Sequence, residues 1–128
     1  MSLTSPLRQV LGPGAAKQGV HHWWVQRLTS VALVPLSIWF AVSLLALPGL
    51  DHATVVAWLA HGVTPVLLLL LVLLSAWHSH LGLRVIVEDY VHGTGLKTLT
   101  LVLLSFAHVL LAAVAGFAVL RVALRGGP

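Results

Sequence analysis

An all-α integral membrane protein with three transmembrane helices is the fold class that this sequence predicts, and three observations predict it. The 128 residues are 59% hydrophobic and only 8% charged, with a mean hydropathy of +1.00, whereas a soluble domain carries about 25% charged residues. The apolar residues lie in three long runs rather than at amphipathic spacing. Lysine and arginine cluster at the ends of those runs. A water-exposed surface cannot hide such runs, so lipid is the solvent for most of the chain.

The first run, residues 28–47, has Thr29, Ser30, Ser37 and Ser43 as polar interruptions and ends at Pro48-Gly49. Pro35 inside it predicts a local kink, which membrane helices tolerate when neighbours satisfy the freed carbonyl. The second run, residues 53–87, would be about 52 Å long as one helix, well beyond a hydrocarbon core of about 30 Å. It is therefore expected to bend near Pro65, leaving Val66–Leu74 deepest in lipid. The third run covers residues 99–122, with Lys97 before it and Arg121 and Arg125 at its end.

Basic residues set the expected orientation. Arg8, Lys17 and Arg27 precede the first span and Arg84 and Lys97 flank the second connection, five on one side, against Arg121 and Arg125, two on the other. Residues 1–27 are thus expected to be a cytoplasmic segment, residues 88–98 a cytoplasmic loop and residues 123–128 a periplasmic tail. A cleaved signal peptide is not expected, because Leu44–Gly49 lacks a small-x-small pattern.

The same composition excludes several function classes. With no cysteine, the chain cannot form disulfides, thiolate metal sites or iron–sulfur ligation, which leaves its eight histidines as candidate metal ligands. The basic residues are too few and scattered for a nucleic-acid surface.

Ionisable groups inside or beside a span are costly unless they meet a partner or cofactor. The densest set closes the second span: His78, His80, Arg84, Glu88, Asp89, Tyr90 and His92. His78 and His80 differ by roughly 200° around a helix, so only one can face a given neighbour. Gly82, one turn after His78, leaves that face open to a flat macrocycle whose iron the imidazole could reach. A structural histidine bonded to a neighbouring helix fits the same spacing. Tyr90 lies about 18 Å further along, near the interface. It reads as an aromatic-belt residue or, with Asp89 beside it, as a hydrogen-bond and proton-handling group for a redox ligand. Before the first span, His21 to Arg27 reads as an interfacial anchor, or Arg27 as the neutraliser of a buried anion such as a haem propionate. His108 is a lone histidine in the third span.

The chain resembles the small, D-type membrane-anchor subunit of bacterial, alphaproteobacterial-like succinate dehydrogenase, respiratory complex II. The resemblance is carried by three signatures in order. These are the lead-in Gly12-Pro13-Gly14-Ala15-Ala16-Lys17-Gln18-Gly19 with His21 to Thr29, then His78-Ser79-His80-Leu81-Gly82-Leu83, then Glu88-Asp89-Tyr90-Val91-His92-Gly93. It implies that His78 is an axial ligand of a b-type haem whose other ligand belongs to a C-type cytochrome b anchor subunit. Tyr90 would hydrogen-bond a ubiquinone carbonyl with Asp89 as its neighbouring acid, and His21 and Arg27 would lie near the haem and quinone region. It implies a flavoprotein and an iron–sulfur subunit as partners, succinate oxidation on those other subunits, and a place in the bacterial inner membrane. His80 departs from the family pattern as a second candidate ligand. Competing expectations are a fumarate reductase anchor, a self-contained small cytochrome b using His78 with His108, which by counting lie at similar depth, and a haem-free structural anchor.

Overall fold

The computed structural model describes residues 16–125, all helical apart from short links. Helix α1 is Ala16–Leu45, α2 is His52–Ala60, α3 is Thr64–Tyr90 and α4 is Thr94–Arg125. Three of them, α1 from Gly19, α3 and α4, are long and apolar enough to cross a membrane. The segment before residue 16, with Arg8 and the first half of the glycine-rich lead-in, and residues 126–128 lie outside the described residues.

Each span is longer than its apolar run at one or both ends. Helix α1 takes in His21 to Arg27, α3 runs on through Glu88, Asp89 and Tyr90, and α4 begins at Thr94 and ends at Arg125. The physical reason is that a charge marks where a helix leaves hydrocarbon, not where it stops, and Glu, Lys and Arg are good helix formers. The loop expected over residues 88–98 is consequently only the link 91–93. That link is held by Val91 N–H on Val87 O at 3.0 Å, Lys97 N–H on Gly93 O at 2.8 Å, and Lys97 Nζ on the Glu88 carbonyl at 2.7 Å.

The expected single bent helix over residues 53–87 is two helices. Asp51 starts α2 as its N-cap: its carboxylate accepts from Thr54 N–H at 3.1 Å and from the Thr54 hydroxyl at 2.6 Å. At its other end His61 N–H bonds Trp58 O, and Gly62 adopts φ +56°, a left-handed conformation that breaks the helix. Pro65 then sits in the first turn of α3, where its missing N–H costs nothing, so it begins a helix instead of bending one. Helix α1 continues through Pro35 without interruption.

Helix α3 is central, packing on α1 along one side and on α4 along the other, while α2 lies over α4 and α3. Trp58 of α2 stacks on Trp39 of α1 with ring centroids 6.3 Å apart. Buried apolar side chains among the described residues are Leu68 and Leu81, both on α3. Most of the remaining apolar surface points away from the bundle, which suits lipid and the helices of other subunits.

Candidate functional site

The site begins where α1 crosses α3. Gln26 and Thr29 are three residues apart on α1 and therefore share a face, and Thr29 is buried. The Thr29 hydroxyl donates to the backbone, to Gln26 O at 2.9 Å and Val25 O at 3.0 Å. Its oxygen accepts from His78 Nδ1–H at 2.9 Å. The Gln26 amide nitrogen approaches His78 Nε2 at 3.3 Å, which makes Nε2 the acceptor, its single lone pair directed at the Gln26 N–H.

An open cleft of about 580 Å³ lies beside this pair, lined by Gly19, His22, Trp23 and Gln26 of α1 and by Gly82, Arg84, Val85 and Glu88 of α3. That volume is in the range of cofactor sites. Gly82 forms part of its floor: a Cβ there would touch Gln26 Nε2 at 3.7 Å, filling the space one turn from His78. Two buried polar atoms on this surface, His22 Nε2 and Gln26 Oε1, have no hydrogen-bond partner. A buried polar atom is ordinarily satisfied, so the pair marks a place for another group.

His80 is turned away. Its Nε2 bonds Ser105 Oγ of α4 at 3.0 Å, and its ring meets His108 edge to face at 5.4 Å. His108 donates from Nδ1 to Leu104 O at 2.8 Å, and its Nε2 is hydrogen-bonded with Ser79 Oγ at 3.1 Å. The expected pairing of His78 with His108 is therefore corrected: they lie on different sides of α3, because His78 engages α1 and His108 belongs to α4. Among the described residues no group of three or more His, Asp or Glu surrounds a common point.

The other anticipated residues are spread out. Arg27 lies over the Trp23 ring at 5.3 Å, His21 is exposed, and neither lines the cleft, where His22 stands instead. Asp89 and Tyr90 are in the last turn of α3, Tyr90 with 77% of its surface exposed. Arg84 Nε–H donates to Glu88 Oε1 at 2.7 Å, half exposed, at the rim of the cleft. Gln26, Thr29 and His22 are the residues that sequence reasoning missed. The signal available was the i, i+3 pair Gln26 and Thr29 at the entry of the first span.

Toward a haem iron, which an imidazole can ligate, this chain would offer His78 Nε2 in place of its contact with Gln26, with Gly82 one turn away and the buried unpaired His22 Nε2 and Gln26 Oε1 alongside.

Residues 1–120 match the succinate dehydrogenase/fumarate reductase transmembrane subunit family. The chain is 32% identical over 97 residues to the succinate dehydrogenase hydrophobic membrane anchor subunit of Rickettsia bellii, covering 76% of this chain and 78% of that one. It is 36% identical over 100 residues to that of Rickettsia felis, covering 77% and 83%. With that of Paracoccus denitrificans it shares 26% over 113 residues, 88% of each. Three apolar helices and these relatives describe a multi-pass protein of a bacterial inner membrane. The chain belongs to the succinate dehydrogenase/fumarate reductase transmembrane subunit family.

Proposed function

We propose that this chain is the small anchor of a succinate:ubiquinone oxidoreductase, contributing one axial ligand, His78, to a b-type haem shared with a C-type cytochrome b anchor, and one wall of a quinone-reduction site at Tyr90 and Asp89. The observation that carries the haem assignment is the tautomer of His78: its Nδ1–H is fixed on Thr29, so Nε2 keeps the lone pair, which here accepts from Gln26 and would pass to an iron once that amide turned aside. When bound, the haem would supply one-electron storage between an iron–sulfur donor and the quinone. Thr29 holds the imidazole's tautomer, and His22 and Gln26, which line the cleft, each keep one buried polar atom without a partner. At the end of α3 the Tyr90 phenol donates a hydrogen bond to a quinone carbonyl, and Asp89 beside it takes up or delivers protons at the membrane surface. Succinate oxidation belongs to the flavoprotein subunit and electron delivery to the iron–sulfur subunit. A fumarate-reducing anchor working with menaquinone would use the same residues.

The test is purification from gently solubilised membranes, with subunits identified by mass spectrometry and the reduced absorption spectrum recorded on the same sample. Flavoprotein, iron–sulfur protein, a second anchor and a low-spin b-type spectrum together are expected. Haem with no partners would indicate a self-contained cytochrome, and partners with no haem a structural anchor.

A further inference from the structure

Arg121 and Arg125 are one turn apart on the last part of α4 and are the only basic residues at that end of the described chain. Among the described residues no carboxylate engages them. The one ion pair among the described residues is Arg84 with Glu88, Asp51 is occupied by Thr54, and Glu88 and Asp89 are at the far end of the bundle on α3. Lys97 and Arg121 are 24 residues apart along one helix, about 36 Å, which places the arginine pair in the headgroup layer when Lys97 is in the opposite one.

Two apolar grooves run down from this pair. One, of about 490 Å³ between α2 and α4, is walled by Val56, Val114 and Phe117 with His52 at its polar end. The other, of about 480 Å³, is an open groove along α4 alone, walled by the exposed Leu120 and Leu124 beside the same Phe117, Arg121 and Arg125. A cationic pair at headgroup depth, flanked by one apolar groove between helices and one open along α4, has the charge and shape to suit one kind of ligand. From this juxtaposition we infer that Arg121 and Arg125 hold the phosphate of an acidic diacyl phospholipid, whose two chains lie in the grooves on either side of Phe117. Guanidinium forks match phosphate oxygens in pairs, and His52 adds a further hydrogen-bonding group at the headgroup. The site is independent of the His78 cleft, from which α3 and the length of α4 separate it.

The experiment uses the full chain purified from its membrane with its associated subunits. Tightly retained phospholipid is quantified by native mass spectrometry, and thermal stability is followed in nanodiscs of phosphatidylcholine alone or with added phosphatidylglycerol. The native protein should retain acidic lipid and melt higher in the phosphatidylglycerol discs. Retention should fall by about tenfold in an Arg121→Gln, Arg125→Gln double variant, given the attraction of each arginine near an anionic surface. Ala118→Trp, which fills the α2–α4 groove and keeps both charges, should lower retention as well. Equal retention in native and double-variant protein would overturn the proposal. So would stabilisation by inorganic phosphate alone in detergent equal to that by the lipid, since a free anion needs no grooves. A double variant that fails to assemble leaves Ala118→Trp and the phosphate comparison to decide.

Discussion

His78 Nδ1 and Thr29 Oγ1 meet at 2.9 Å across the α1–α3 interface. The threonine's single proton is directed at its own helix, so the contact assigns the imidazole proton to Nδ1 and the lone pair to Nε2, where the Gln26 amide donates. Two residues later His80 makes the corresponding contact with Ser105 on the opposite helix. The two histidines therefore report to different interfaces, and their substitutions separate cleanly.

His78→Ala is expected to abolish the b-type reduced spectrum, while His80→Ala should keep it and at most loosen the α3–α4 contact. Thr29→Val preserves shape and removes the acceptor. Haem affinity should drop by roughly 10- to 100-fold, as for loss of an orienting partner of a metal-bound histidine, seen as a lower haem-to-protein ratio. Haem lost in His80→Ala and kept in His78→Ala would reverse the assignment.

The five-to-two distribution of basic residues predicts a cytoplasmic amino terminus and a periplasmic carboxyl terminus. A reporter active only in the periplasm should be active after Pro128 and silent before Met1 or in the 91–93 link. The opposite pattern would put Tyr90 on the wrong side for a cytoplasmic electron donor.

The three spans were legible because a bilayer demands about 20 apolar residues whatever their packing. Helix α2 was not, since residues 53–60 are as apolar as a span and a proline at a helix start reads like one at a kink until the left-handed Gly62 before it is known. At the candidate site, His78 and Gly82 are local, one turn apart, so their spacing can be read from the sequence. Thr29 and Gln26 reach His78 from 49 and 52 residues away. In the sequence they were ordinary polar interruptions, because only the pairing of helices tells which face of α1 meets α3.

Asp51 carries a pH prediction for α2. The Thr54 hydroxyl and amide hydrogen bonds hold its carboxyl below its ordinary value. A lowered folded value means that the cap is fully present above the ordinary carboxylate range and is lost as pH falls through the folded value. Amide exchange at Thr54 and Val55, corrected for intrinsic rates, should therefore lose protection only under acid. In Asp51→Ala protection should be low at every pH, with α1, α3 and α4 unaffected. Acid-independent protection in the native chain would show that the cap does not depend on the charge.

Tyr90 separates a quinone-site residue from an interfacial anchor. Its phenol is exposed at the end of α3, so within this chain the hydroxyl does no packing work and Tyr90→Phe should leave assembly and haem content intact. If the hydroxyl donates to a quinone carbonyl that gains charge during reduction, its loss removes about 1.5–3 kcal/mol of transition-state stabilisation. Quinone reduction then falls by roughly 10- to 100-fold, while succinate oxidation with an artificial acceptor drawing electrons from the head is unchanged. Asp89→Asn should lower turnover more than quinone affinity, because it alters proton handling and not the hydrogen bond itself. An aromatic-belt role makes the opposite demand, since phenylalanine packs at the interface as well as tyrosine does. Tyr90→Phe silent with both acceptors, in a preparation with full haem, would make the residue an anchor and move the quinone contact elsewhere.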